Sequence, residues 1–129
     1  KDLVHQILQD KHTLVWENDT VGNFFTKHAP ENKFDIVEMV GLLDYFDDEK
    51  TLLTFQSIHK SLKPGGLLVT ANIVDNSERK FVTNAIGWGM IYRSGEELAR
   101  LLYKAGFSYN KMSIFYEPLK VHSVIRVIK

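Results

Sequence analysis

The chain has 129 residues, which suits one domain with a sizeable core, and its 16 lysines and arginines balance its 16 aspartates and glutamates. Zero formal net charge removes any electrostatic case for nucleic acid or an anionic membrane as partner. With no cysteine, a disulfide framework, a thiolate metal site and a cysteine nucleophile are excluded, and the cytoplasm is the default compartment.

The opening residues, KDLVHQILQDKH, place Leu3, Val4, Ile7 and Leu8 on one helical face, with no capping residue before Lys1 and no apolar signal-peptide core. No apolar run approaches the roughly 20 residues needed to span a bilayer. Thr13 to Trp16 reads as a short strand, and Glu17, Asn18 and Asp19 as the loop at its end. Phe34 to Val40 is the next strand, β-rich and apolar at Ile36 and Val37. A crossover helix follows. Asp47, Asp48 and Glu49 crowd its first turn and Lys60 and Lys63 lie near its far end, as the helix dipole favours. Leu52, Phe55, Ile58 and Leu62 recur at helical spacing and face the sheet. Pro64, Gly65 and Gly66 break the helix, and Leu67 to Ala71 is apolar enough for a central parallel strand. Phe34 to Asn72 is therefore one βαβ unit, whose loops gather at the carboxyl edge of the sheet, where such folds bind ligands.

Arg79 to Arg93, RKFVTNAIGWGMIYR, is rich in aromatic and apolar residues but has no clean strand or long helix. Ser94 and Glu97 form a capping-box pattern, and Leu98, Leu101, Leu102 and Ala105 continue an apolar stripe to Gly106. Met112 to Tyr116 and Val121 to Ile128 are strands joined by Glu117 to Lys120, too short a link for a crossover, so they pair antiparallel at one edge. The whole predicts an α/β three-layer sandwich with a mostly parallel sheet and a carboxyl-terminal antiparallel hairpin. His5, His12, His28, His59 and His122 lack metal-ligand spacing, so no metal is expected, and no G-x-S-x-G nucleophile or G-x-G-x-x-G arrangement occurs.

The segments FDIVEMVGLLDYFDDE, LKPGGLLVTANI and YEPLKVHSVIRVI give the chain a resemblance to class I S-adenosylmethionine-dependent methyltransferases, as their fourth strand with its loop, fifth strand and closing hairpin. GLLDYF, IGWGMIYRSGEEL and the later YEP resemble, more narrowly, bacterial methyltransferases of fatty-acid methyl ester signal biosynthesis. The resemblance implies a Rossmann-like fold in which residues 1–129 form the carboxyl-terminal part of a single domain, without strand one, its glycine-rich loop or the acid that ends strand two. It implies S-adenosylmethionine as cofactor and methyl transfer to a small-molecule or lipid-like acyl or carboxylate acceptor. A non-catalytic, methyltransferase-like partner domain is the alternative, and the closing hairpin disfavours a dehydrogenase.

Carried over by position, Asp19 with the adjacent Thr20 would meet the adenine amino group, and Met39, Val40 and Gly41 would line the methionine part of the cofactor. Asp44 and Tyr45 would face the acceptor, with Glu38 and Asn72 as further contacts on the ligand edge. Trp88, Met90, Tyr92 and Arg93 would form an apolar wall with one cation, suited to an acceptor bearing a carboxylate. No residue is assigned as catalytic base. The residue types alone leave plainer readings open: Asp19 and Asp44 as helix caps, Met39, Val40 and Tyr92 as core, and Arg93 paired with a local acid such as Glu96 or Glu97; for Trp88 the core is the expected place.

Overall fold

The computed structural model describes residues 15–28 and 30–129. The expected opening helix and the first half of the expected strand at Thr13–Trp16 lie outside them. Val15 and Trp16 are described, but they are exposed and belong to no strand. In chain order come α1 (Val21–His28), β1 (Phe34–Met39), a 3-10 turn (Leu43–Tyr45), α2 (Asp48–Ser61), β2 (Leu62–Ile73), α3 (Arg79–Asn84), α4 (Gly95–Lys104), a second 3-10 turn (Tyr109–Lys111), β3 (Met112–Tyr116) and β4 (His122–Ile128).

The two long helices start where their side chains satisfy free amides. Asp47 accepts the Lys50 N–H at 2.8 Å to open α2. Ser94 and Glu97 bond reciprocally to open α4, completing the capping box. Gly95 at the first position of α4 lets helix and sheet meet, because a Cβ there would stand 2.6 Å from Ile114 Cγ2. Gly65, with φ +79, makes a turn within the first residues of β2 that a side chain would strain. The turn leaves a register shift between β1 and β2, which align again from Ile36 opposite Leu67.

The four strands lie in the order β1-β2-β4-β3. The expected mostly parallel sheet is corrected to a mixed one: β1 and β2 pair parallel, whereas β2–β4 and β4–β3 are antiparallel. The hairpin is where it was expected, an antiparallel pair at one edge of the sheet. Its second strand, β4, inserts against β2 along Leu67↔Ile128 to Ile73↔His122 and leaves β3 outermost. Insertion suits β4 because Ile125 and Val127 are fully buried, while four of the five β3 residues, Ser113 to Tyr116, are exposed. Glu117 staples the turn, its carboxylate accepting the N–H groups of Leu119, Val121 and His122. Desolvation raises its pKa, but those amide donors and His122 outweigh it and hold the carboxyl below the ordinary value.

α2 and α4 pack on each other and on one face of the sheet. Phe55, Ile58, Leu98, Leu102, Phe107, Leu68, Ile125 and Val127 form the centre of that core. The other face carries Ile36, 64% exposed, with Val69, Val124 and Ile128 only partly covered. The expected three layers are thus two among the described residues, because no described helix packs over this second face. No helix among the described residues is long and apolar enough to cross a membrane.

Two outcomes follow from this packing. Leu102→Ala is expected to cost about 3 kcal/mol in urea denaturation, since its site is closed on all sides. His59 lies edge-on to Phe107, with ring centroids 4.8 Å apart; burial, then Lys129, hold its pKa below the ordinary 6.5. The unfolded chain therefore takes up a proton that the fold resists. Stability should fall as pH drops through 6.5 toward the lower folded-state value, and His59→Gln should flatten that part of the urea midpoint profile.

Candidate functional site at the carboxyl edge of the sheet

β2 runs three residues beyond the end of β1, from Thr70 opposite Met39 to Ile73, and the chain leaves β1 through Val40 and Gly41 into the 3-10 turn. Residues 79–93 return across this edge before α4 begins. One buried cation joins these pieces. Arg93 is 4% exposed, and each guanidinium nitrogen has a partner: Nε donates to Asp48 Oδ1 at 2.9 Å, Nη1 to Leu43 O at 3.0 Å and Asn72 Oδ1 at 2.9 Å, and Nη2 to Phe46 O at 2.6 Å, with Asp48 Oδ1 2.8 Å from Nη2. Five contacts match the five N–H donors of a guanidinium. Arg93 thus pairs with Asp48, not with Glu96 or Glu97, because its side chain runs inward while α4 starts outward.

Asn72 completes the connection. Its amide donates to Asp44 Oδ1 at 2.9 Å, Ile91 O at 2.8 Å and Ile73 O at 3.1 Å, and Asp44 Oδ1 also accepts the Ile73 N–H at 2.8 Å. Backbone bonds run alongside, from Ile91 N–H to Asp44 O at 2.7 Å and from Arg93 N–H to Ile73 O at 3.0 Å. Asp44 and Asn72, expected on the ligand edge, are both buried and fix the turn to the end of β2. Their short polar side chains are those that can satisfy main-chain groups there at no cost in unpaired polar atoms.

The remaining expected residues fall into two groups. Val40 and Tyr45 are exposed at the edge, and Gly41 has φ +74 with open space where a Cβ would be. Met39 is buried in the core and reaches the edge through its backbone alone, its carbonyl accepting from Thr70 Oγ1 at 2.9 Å. Glu38 is exposed on β1, opposite Val69 and so on the uncovered face. Asp19 and Thr20 are exposed and engaged locally, Asp19 Oδ1 accepting the Thr20 N–H at 2.8 Å and Thr20 Oγ1 the Asn23 N–H at 3.2 Å at the start of α1. The Asn23 side chain, then the Thr20 amide, holds the Asp19 carboxyl below its ordinary value, so it stays ionised.

Trp88 corrects the expectation that it fills the core. It is 52% exposed, and its indole N–H donates to the Tyr45 hydroxyl at 2.9 Å. Gly87, with φ +74, and Gly89 flank it and let the strap turn the ring outward, a signal already visible as GWG. Tyr92 is partly buried under the Arg79 guanidinium, 4.5 Å from its ring centre, and its hydroxyl has no partner among the described residues. Asp48 was visible in the sequence as a first-turn acid; its role as the Arg93 counter-ion depends on a contact 45 residues away.

No family model matches the chain, and no curated protein matches it. Solved structures do. CurJ carbon methyltransferase aligns with 98% of this chain and 38% of its own at 17% identity and TM-score 0.72. The pyocyanin biosynthetic protein PhzM aligns with 99% and 38% at 15% identity and TM-score 0.69. Human N-acetylserotonin methyltransferase, in complex with SAM, aligns with 74% and 29% at 17% identity and TM-score 0.60. At these identities the likeness is one of fold, that of S-adenosylmethionine-dependent methyltransferases, and the chain spans well under two thirds of each protein's length.

The Arg93 network makes a sharp pair of expectations for urea denaturation. Arg93→Ala leaves Asn72 Oδ1 without a donor, reduces Leu43 O to the Phe46 N–H and Phe46 O to the Thr51 hydroxyl, and empties a buried site, so it should cost about 3 kcal/mol. Asp48→Ala removes a carboxylate that is itself 75% exposed but strips the buried Arg93 Nε of its acceptor and counter-charge, so it should cost about 2 kcal/mol, less than Arg93→Ala.

Proposed function

We propose that this chain serves S-adenosylmethionine-dependent methyl transfer to a small-molecule or acyl-bodied acceptor. The observation that carries the reading is the open corner at the end of β1, set in a fold like that of known methyltransferases. Val40 is exposed there, Gly41 leaves room at its Cα, and Tyr45 and Trp88 stand across the same edge. Backbone without a side chain is what a ligand needs for close approach, so Val40 and Gly41 fit the methionine part of the cofactor. Asp19, ionised and exposed, is an acceptor for an adenine amino group.

When bound, S-adenosylmethionine supplies an electrophilic methyl on a sulfonium. The residues of this chain then have to orient the acceptor and keep water out, since a direct displacement depends on in-line alignment. Arg93, Asn72 and Asp44 serve that purpose by fixing the turn that carries Tyr45 and the strap that carries Trp88. Asp44 is engaged by Asn72 and the Ile73 amide, which favours acceptors that need no strong base from this edge. A partner domain without cofactor binding is the competing reading.

Isothermal calorimetry of the natural full-length protein with S-adenosylhomocysteine separates them. Saturable binding at micromolar strength or better, weakened in Asp19→Ala, is the expected result. A flat titration would remove the methyltransferase reading and favour the partner domain.

A further inference from the structure

The sequence alone set one cation, Arg93, in the acceptor wall and so suited it to a carboxylate. The structure takes that cation away. Arg93 is 4% exposed, its donors are all engaged within the chain, and Asp48 balances its charge. The nearby cations on α3 do not replace it. Arg79 pairs with Asp75 at 3.2 Å and lies over the Tyr92 ring, and Lys80 borders a separate surface cleft with Asp75, Asn76, Ser77 and Thr83.

Among the described residues, the pair that stands at the edge instead is uncharged. Tyr45 (49% exposed) and Trp88 (52%) are joined through the indole N–H, and Val40 at the end of β1 and Phe81 and Ile86 on the segment that carries Trp88 are exposed apolar residues. Backbone bonds fold the segment before Trp88 on itself, with Ile86 N–H on Phe81 O at 3.4 Å and Trp88 N–H on Val82 O at 3.1 Å. Because the Tyr45 oxygen accepts from Trp88, its own O–H remains free to donate, and the Trp88 bond restricts where it turns. The pair therefore offers one oriented donor on an apolar surface.

Resting on the methyltransferase reading, we propose that Tyr45 and Trp88 form a neutral acceptor wall that takes an uncharged molecule with an apolar body and one hydrogen-bond-accepting atom, read by the Tyr45 hydroxyl. Tyr45 and Trp88 are then specificity-determining residues. A carboxylate loses its hydration on this surface and gains no cation in return, whereas a neutral hydroxyl or carbonyl loses far less.

Calorimetry with the full-length protein saturated with S-adenosylhomocysteine tests this, using octan-1-ol and octanoate as probes at neutral pH. Octan-1-ol is expected to bind saturably and more tightly than octanoate. Tyr45→Phe, at an exposed position, should weaken it about fivefold, the scale of one hydrogen bond, and Trp88→Phe should weaken it as well. Octanoate binding as tightly as octan-1-ol, an unchanged affinity in Tyr45→Phe, or no saturable binding of any probe would each overturn the neutral wall. Those results leave the methyltransferase reading standing, since it depends on the S-adenosylhomocysteine titration itself.

Discussion

A guanidinium buried at the carboxyl edge of a sheet is tolerable only if each of its donors finds an acceptor, and the architecture around Arg93 is organised by that requirement. Its partners come from the 3-10 turn, the start of α2 and the end of β2, and its backbone N–H bonds to Ile73. Four separate stretches of chain are thereby held in one arrangement. Lysine has neither the planar fork nor enough donors for this task, so the position discriminates between two residues of equal charge. Leu43, Leu68 and Leu102 close the core beneath, all of them fully buried. Polar network and apolar core thus share a boundary along α2 and β2.

This arrangement has a chemical consequence. Asp44, Asn72 and Arg93 are the polar residues that position alone would assign to a ligand, and the structure uses all three to hold itself together. The groups left facing outward are Val40, Gly41, Tyr45 and Trp88, which are neutral. An edge of this kind is suited to aligning an apolar acceptor more than to abstracting its proton. On the proposed reading, that would suit a reaction whose barrier is lowered chiefly by geometry and by exclusion of water.

Much of the fold was legible because its signals are local. Asp47, Ser94 and Glu97 mark helix starts through bonds spanning three residues, and the stripes Leu52-Phe55-Ile58 and Leu98-Leu101-Leu102 identify the buried faces. The hairpin was visible because its link is too short for any other connection. The insertion of β4 beside β2 was not, since both edge and interior placement satisfy the same strand pattern. Trp88 was misplaced for a related reason. An aromatic residue in an apolar stretch is commonly core, and only the Tyr45 hydroxyl, 43 residues away, gives its indole a partner at the surface.

By itself, the sequence determined the βαβ unit, the capped helices, the hairpin and the position of the sheet's carboxyl edge, because each rests on periodicity or on contacts between near neighbours. The tertiary structure decided the sheet order, the single helical layer among the described residues, and which polar side chains at the edge are consumed internally. Those outcomes depend on contacts between residues 28 to 50 positions apart, such as Asn72 with Asp44 and Arg93 with Leu43, which no local pattern encodes. Arg93 has the same charge in the sequence as in the fold. Only the folded chain shows that the charge is directed inward and already neutralised.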